Sequence, residues 1–211
     1  MVPGLAAMAA VARRVGEPGK GLRAELGAIG RGTERDMVRA GGGRALHRGA
    51  LWPLGLLVAG AALAPRGTPE ESTGIARRIA AHPDPRAPRT PTIGSAMSVR
   101  FGAAGAKGEA RAGFPHVRRA LDALDVARRG GAREPEARLR ALLVVMTTLQ
   151  DTGLLHAGGP HGLREVQDGA RDGGGGGGGG GGAVVAPRGG AVDQRRGARV
   201  PRGAPGRAGR G

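Results

Sequence analysis

The length of 211 residues and the absence of cysteine set the first limits on this chain. The length suits one domain and is too short for two large ones, and without cysteine there is no disulfide framework, thiolate zinc site or cysteine nucleophile. Aromatic residues make up only 1% of the chain, so any core must consist of aliphatic side chains, which favours helices over strands.

The formal net charge of +16 comes almost wholly from arginine. Such an excess attracts phosphates, nucleic acids or anionic membrane surfaces. Arg, Ala, Gly and Pro are also the residues that G/C-rich codons encode, so a G/C-rich genome would give the same balance without selection for a ligand. The charge alone leaves both interpretations open.

Two helices are predicted in the first third of the chain. Residues 22–37 carry an apolar stripe at helical spacing, with a break expected near residues 30–32, where glycine is costly inside a helix. The uncharged run 49–65 is shorter than the ~20 residues of a membrane span, so we predict a buried core helix there and no membrane partner.

A proline-rich segment, residues 83–91, predicts an extended connection between two helical groups. After it, residues 98–101 are the only short strand candidate, and 116–129 predict an amphipathic surface helix. Apolar residues at helical spacing after Glu134 predict a buried helix that ends near Asp151. The fold class that follows is all-α, as a single helical domain.

The C-terminal segment has a different composition. Residues 173–182 are consecutive glycines, and residues 183–211 are mainly Arg, Gly, Pro and Ala, which cannot offset the entropy cost of ordering. We therefore predict a folded domain over 1–172 and a disordered Gly/Arg-rich tail over 173–211. No secretory signal is evident, which favours a cytoplasmic location.

Several short motifs follow one another along residues 3–172. They are His47-Arg48-Gly49-Ala50-Leu51-Trp52, Phe101-Gly102-Ala103-Ala104-Gly105-Ala106-Lys107-Gly108-Glu109-Ala110, Gly113-Phe114-Pro115-His116-Val117, and Leu149-Gln150-Asp151-Thr152 followed by Leu154-Leu155-His156. Their order and spacing resemble the triphosphoribosyl-dephospho-CoA synthase family.

The resemblance implies an all-α transferase that joins the triphosphoribosyl part of ATP to a ribose hydroxyl of dephospho-CoA and expels adenine. The product would be the prosthetic-group precursor for the acyl-carrier subunit of malonate decarboxylase or citrate lyase. The sequence looks somewhat more like the malonate branch. ATP and dephospho-CoA are then the expected small-molecule partners.

Glu109 and Asp151 are the candidate catalytic residues for that chemistry. Breaking the bond between ribose and adenine builds positive charge on the sugar, which a carboxylate can stabilise, or a carboxylic acid can protonate the departing base. Asp151 is also the candidate ligand for Mg²⁺ brought in with ATP. Gln150 stands where the family shows a second acid, and an ordinary surface or capping role is the alternative for either carboxylate.

Two further groups of residues are candidates for phosphate binding. The segment that contains Gly102, Gly105 and Lys107 can bring backbone N–H groups and an ammonium to phosphate oxygens, with a plain flexible turn as the alternative. His47 and Arg48 match the family's histidine motif and can also hold phosphate. The residues before His47 are apolar, whereas the family has polar ones.

Some family motifs are missing from this sequence at both ends, so we expect a chain truncated at both ends. Two alternatives to an active transferase remain. One is an inactive remnant that keeps the fold. The other is nonspecific nucleic-acid binding through the basic tail, which would be weak because no aromatic residues are interleaved.

Overall fold

The computed structural model describes residues 1–43, 48–88 and 90–174, and for Arg48 only the backbone. This part of the chain holds nine helices and no strand, which confirms the all-α class. The helices are α1 Val2–Val15, α2 Lys20–Ala40, α3 Arg48–Leu63, α4 Pro69–Ala81, α5 Ile93–Phe101, α6 Gly105–Arg111, α7 Pro115–Arg129, α8 Glu134–Met146 and α9 Thr152–Gly174. The tail predicted to be disordered lies outside the described residues, apart from its first two glycines.

The first four helices and α6 share one core, because each turns an apolar face inward. Its members are Met8, Ala12, Leu22, Leu26, Leu56, Ala59, Ala76, Ile79, Ala80, Ala110 and Phe114. The start of α4 is fixed by a capping box, in which the Thr68 hydroxyl accepts the N–H of Glu71 and the Glu71 carboxylate accepts the N–H of Thr68. This core places α6 against α4.

The predicted core helix is confirmed as α3, with Leu51, Leu56 and Ala59 buried. Pro53 lies inside the helix and does not end it. Across the described ranges, no helix is both long enough and apolar enough to cross a membrane.

The predicted break in α2 is wrong, because the helix runs unbroken from Lys20 to Ala40. Two of its glycines lie at close contacts: a Cβ at Gly27 would be 2.1 Å from the Asp84 carboxylate, and one at Gly30 would be 3.5 Å from Met8. Burial of Leu22 and Leu26 on the same helix outweighs the low helix propensity of glycine.

The described residues of the proline-rich segment join α4 to α5 without a helix, as predicted, but they turn at Pro85 and Arg86 instead of running fully extended. Asp84 anchors the segment to α2. Its carboxylate, only 6% exposed, lies 2.6 Å from Nη1 of Arg31 and 3.7 Å from Nη1 of Arg23. Arg23 also lies over the Trp52 ring, 5.8 Å from its centre. Burial lowers the pKa of Arg23, and Arg31 adds to that effect while Asp84 opposes it. We call Arg23, Arg31 and Asp84 the Asp84 cluster.

The remaining helices pack differently. α5 and α9 share a smaller core of Met97, Ala103, Leu155 and Leu163, and α7 and α8 form an antiparallel hairpin that contacts α9 through α8. The strand candidate at 98–101 is wrong, since these residues form the end of α5. A capping box between Thr92 and Ser95 starts that helix and outweighs its β-branched residues.

The amphipathic helix at 116–129 is confirmed as α7, which begins one residue earlier at Pro115. The next prediction is wrong in two respects: α8 ends at Met146, well before Asp151, and its leucines at 139 and 142 are 51% and 54% exposed. Its buried face is instead formed by Ala137, Ala141 and Leu143.

The early end of α8 has a local cause. The Thr147 hydroxyl donates to the carbonyl of Val144, 2.7 Å away, and so competes with the helical hydrogen bonds there. The chain then turns through Leu149 and Gln150 before Asp151 begins the next helix. This turn brings the 147–151 segment beside α7.

Candidate active site

A tight turn between α6 and α7 sets the geometry of the candidate site. Gly113 and Phe114 both have positive φ angles, of 81° and 57°. Phe114 is the only described non-glycine residue in this conformation, which costs about 1–3 kcal/mol. Its ring is 1% exposed within the first core, and this burial holds the strained backbone in place. The chain therefore reverses at once, and the start of α7 faces α6.

Glu109 on α6 accepts two hydrogen bonds from His116 on α7 because of that turn. Oε1 accepts the backbone N–H of His116 at 2.8 Å, and Oε2 lies 2.7 Å from the ring Nδ1. Glu109 and His116 are 17% and 19% exposed. A carboxylate at the first turn of a helix is also favoured by the helix dipole. Glu109 is therefore paired, and its contact with the His116 N–H in the first turn of α7 is the capping role that was the alternative for this carboxylate.

The ring of His116 extends this contact to the segment after α8. Its Nε2 lies 3.2 Å from the Thr148 hydroxyl, which also accepts a hydrogen bond from Nη1 of Arg119 at 3.1 Å. The order of contacts is Glu109, His116, Thr148, Arg119, and we call these four residues the histidine relay. Thr148 directly precedes the motif that begins at Leu149, so the relay reaches from one motif noted in the sequence to the edge of another.

Asp151 caps the start of α9. Its Oδ1 accepts the backbone N–H groups of Gly153 and Leu154, at 2.7 and 2.9 Å. The alternative role of Asp151 as a capping residue therefore accounts for Oδ1 but not for Oδ2. Oδ2 accepts no hydrogen bond from the described residues, and it is the carboxylate oxygen that remains available to a substrate or an ion.

The glycine segment lies next to this cap. A Cβ at Gly105 would be 3.4 Å from the methyl group of Thr152, the first residue of α9. Gly102 and Gly105 have φ angles of 69° and 56°, so the backbone itself requires glycine at both positions. Lys107 is exposed and makes no ion pair with a described residue. A phosphate-binding role for these three residues stays a prediction.

The histidine motif is placed only in part. His47 lies outside the described residues, and Arg48 is described only as the first backbone position of α3. Both assignments therefore stay predictions.

The acids that are described do not gather into a ready metal site. No group of three Asp, Glu or His side chains suited to holding a metal occurs within residues 1–43, 48–88 and 90–174. Both oxygens of Glu109 are engaged, which leaves Oδ2 of Asp151 as the single free carboxylate oxygen of the site. One carboxylate fits Mg²⁺ only in the manner of an ion held chiefly by substrate phosphates.

Sequence reasoning missed three of the four relay residues: His116, Thr148 and Arg119. The only signal for His116 was its place in the Gly-Phe-Pro-His motif, because the reversal before it depends on the positive φ of Phe114, which the sequence does not reveal. Thr148 and Arg119 gave no such signal, since their contact depends on where α8 ends.

A pocket of about 660 Å³ lies apart from the relay, between α4 and the loop that precedes it. Arg66, Arg77 and Arg78 line it, and Cδ of Arg77 lies 3.6 Å from the Cβ position of Gly113. None of the candidate site residues lines this pocket. The candidate residues instead lie on α6, at the start of α7 and at the start of α9.

These features define an all-α protein with a carboxylate–imidazole site built at helix ends. A family model described as ATP:dephospho-CoA triphosphoribosyl transferase matches residues 1–181, and the chain belongs to that family. The resemblance found in the sequence motifs is thereby confirmed.

Curated relatives agree with this membership. The chain is 48% identical over 166 residues to a probable 2-(5''-triphosphoribosyl)-3'-dephosphocoenzyme-A synthase of Pseudomonas aeruginosa, a match that covers 78% of this chain and 57% of the relative. It is 45% identical over 172 residues to a protein of the same name in Azotobacter vinelandii, covering 80% and 59%. A Klebsiella pneumoniae synthase is 43% identical over 151 residues, covering 71% and 54%.

The chain thus spans somewhat more than half the length of these relatives. No solved structure matches it.

Proposed function

We propose that this protein transfers the triphosphoribosyl group of ATP to a ribose hydroxyl of dephospho-CoA with release of adenine. The family description and the names of the relatives support this reaction. The observation that carries it for this chain is the hydrogen-bonded contact between His116 and Thr148, which joins the motif around Glu109 to the motif around Asp151. A second contact supports this, because the Cβ position of Gly105 lies 3.4 Å from the methyl group of Thr152.

The reaction exchanges one bond at the anomeric carbon of ATP for another. The bond from C1' to the adenine nitrogen breaks, and the adenine takes its electron pair. A bond from C1' to the acceptor oxygen forms, and the hydroxyl proton leaves. The sugar carries positive charge on the way, so a nearby carboxylate lowers the barrier by an electrostatic interaction that grows in the transition state.

The proposal gives each candidate residue a part. Oδ2 of Asp151 faces the sugar or a phosphate-bound ion, and Glu109 supplies the second negative charge of the site. Lys107 binds phosphate oxygens as a compact cation, and Gly102 and Gly105 keep the backbone near it free of side chains.

His47 and Arg48 are proposed as further phosphate ligands, and Arg48 is the first residue of α3. An arginine guanidinium can hold two phosphate oxygens at once, which makes Arg48 the stronger candidate of the two.

The proposal includes Mg²⁺ as the companion of ATP. The ion would supply charge neutralisation for the triphosphate, and Asp151 is the residue in this chain that would hold it. Gln150 in the preceding position contributes a neutral oxygen where a second carboxylate would bind the cation more strongly.

The product of this reaction would serve the acyl-carrier subunit of malonate decarboxylase or citrate lyase. The sequence resembles the malonate branch somewhat more. A cytoplasmic location remains part of the proposal, since ATP is the substrate and the chain has no cysteine that an oxidising compartment would pair.

Adenine release tests the proposal directly. The full chain is incubated with ATP, MgCl₂ and dephospho-CoA, and free adenine is measured by liquid chromatography. We expect release that depends on dephospho-CoA, and a fall of about 100-fold or more for Asp151→Asn, because that change removes a charge at the reacting sugar.

The matched control is Asp125→Asn, which neutralises an exposed aspartate on α7 whose partner is Arg129. Its release rate should equal that of the wild type. A wild-type chain that releases no adenine would overturn the proposal and favour an inactive remnant with the same fold.

A further inference from the structure

The hydrogen-bonding positions around His116 can be assigned one by one. Both oxygens of Glu109 receive a group from His116: the backbone N–H at Oε1 and the ring Nδ1 at Oε2. A carboxylate only accepts, so Nδ1 carries the hydrogen in this contact. In the neutral ring the other nitrogen, Nε2, is then a lone-pair acceptor.

The groups on the far side of the ring agree with that assignment. Nη1 of Arg119 can only donate, so the Thr148 oxygen accepts from it at 3.1 Å. The hydrogen of the Thr148 hydroxyl is then free to point at Nε2, 3.2 Å away. The Nδ1–H of His116 and the Thr148 hydroxyl thus each meet an acceptor, and Nε2 is left as a lone-pair acceptor that lies beside a hydroxyl.

Nε2 and the Thr148 oxygen are 3.2 Å apart, at the long end of the range for a hydrogen bond between nitrogen and oxygen. The ring of His116 is also partly exposed. A substrate hydroxyl can therefore take the place of the Thr148 hydroxyl at Nε2, and neither His116 nor Thr148 is a member of the two buried cores.

We propose that His116 is the general base of the transfer and that Glu109 and Thr148 are positioning residues. This rests on the proposed function. Nε2 of His116 accepts the proton of the acceptor hydroxyl as that oxygen bonds to C1' and the bond to adenine breaks. The departing adenine takes a proton from solvent, and the imidazolium later releases its own to solvent.

Glu109 has two effects in this arrangement. It fixes the ring so that Nε2 rather than Nδ1 faces the substrate, and its negative charge stabilises the imidazolium that forms. Its role is thus exerted through His116, because each of its oxygens accepts a hydrogen bond from that residue. Asp151 remains the carboxylate that can touch the sugar or a phosphate-bound ion.

Replacement of His116 tests the base directly. His116→Ala should lower kcat for adenine release by about 10²- to 10⁴-fold, the usual contribution of a positioned acid or base, with little change in KM for ATP. Added imidazole should restore part of the lost rate, because the free base can occupy the space of the missing ring. A purely structural histidine would not respond to imidazole.

Two further variants complete the test. His161→Ala removes an exposed histidine of α9 and should behave as wild type, with or without imidazole. Glu109→Gln should lower kcat and shift the ring nitrogens of His116 away from the Nδ1–H form in ¹⁵N NMR spectra. That spectrum needs no substrate, and equal thermal melting of the variants excludes unfolding as the cause.

Different results would overturn the transferase proposal and the assignment of His116. If the wild type releases adenine but His116→Ala keeps its rate within threefold, or if imidazole restores nothing, the assignment of His116 is overturned and the transferase proposal stands. If the wild type releases none, both fall together. A wild-type spectrum with the hydrogen on Nε2 would also overturn the assignment.

Discussion

A Cβ atom at Gly60 would lie only 2.2 Å from the carbonyl oxygen of Ser72, so α3 and α4 meet backbone to backbone at this point. The backbone nitrogen of Ala76 is 3.2 Å from the same position. Backbone atoms cannot rotate away as a side chain can. The packing of α3 on α4 therefore requires glycine at position 60.

Gly60→Ala should destabilise the protein by about 1–3 kcal/mol, the usual cost of overpacking a well-filled core. The comparison is Gly74→Ala on α4, where a Cβ would meet nothing within 4 Å. This variant should gain up to about 1 kcal/mol from its higher helix propensity. Urea unfolding followed by circular dichroism measures both. Changes of the same sign and size would refute the close approach.

Removal of the carboxylate from the Asp84 cluster should strongly destabilise the folded protein. Asp84→Asn leaves Arg23 and Arg31 without their shared carboxylate, and removal of one partner from a buried ion pair costs about 3–5 kcal/mol. The control is Asp36→Asn, which removes an exposed partner of Arg39 and should stay within about 0.5 kcal/mol of wild type. Chemical unfolding in urea gives both free energies.

Glu134 connects α7 to α8 and should titrate far below an ordinary glutamate. Hydrogen bonds from Arg128, and then from Arg138, lower its pKa from 4.5 to about 2. A carboxyl group with a lower pKa in the folded state stabilises the fold above pH 4.5, and that contribution is lost as the pH falls from 4.5 toward 2.

The carboxyl ¹³C chemical shift of Glu134, followed by NMR between about pH 1.5 and 6, measures this pKa directly. Glu134→Gln should flatten the acid dependence of unfolding over that interval. Because the three side chains are exposed, high salt should move the midpoint toward that of a free glutamate. A midpoint near 4.5 at low salt would contradict the bidentate contact with Arg128.

Lys107 offers a clean comparison because the chain has only one other lysine, Lys20 at the start of α2. If Lys107 binds the triphosphate, Lys107→Ala should raise KM for ATP about tenfold, which corresponds to 1.4 kcal/mol of lost binding. Lys20→Ala should leave KM unchanged. Equal KM values for the two variants in the adenine-release assay would remove Lys107 from the site.

The position of a helix could be predicted from the sequence where its apolar residues alone determine that it must be buried. α3 is the clearest example, since its uncharged sequence allows no surface location and its length excludes a span. α2 was predicted as interrupted, because glycine propensity is a local quantity while the contacts of Gly27 and Gly30 come from distant residues. α8 was predicted too long, because Leu149 continues the apolar spacing after the helix has ended.

The candidate site was predictable as a set of motifs but not as an arrangement. Glu109 and Asp151 stand out in the sequence because each lies beside glycine or small residues in a recognisable motif. The fact that Glu109 is satisfied by His116 depends on two consecutive positive φ angles, which the letters Gly-Phe do not reveal. A non-glycine residue in that conformation is too rare to predict from local preference.

Two separate requirements limit which residues can replace Phe114: the left-handed backbone and the volume of the buried ring. Glycine would suit the left-handed backbone and leave a large void, while leucine or methionine would fill much of the void and keep the strain. We expect each of these replacements to shift the first residues of α7 and, with them, the ring of His116. A randomised library at this codon, selected for adenine release, should return a far smaller set of residues than one selected for folding alone.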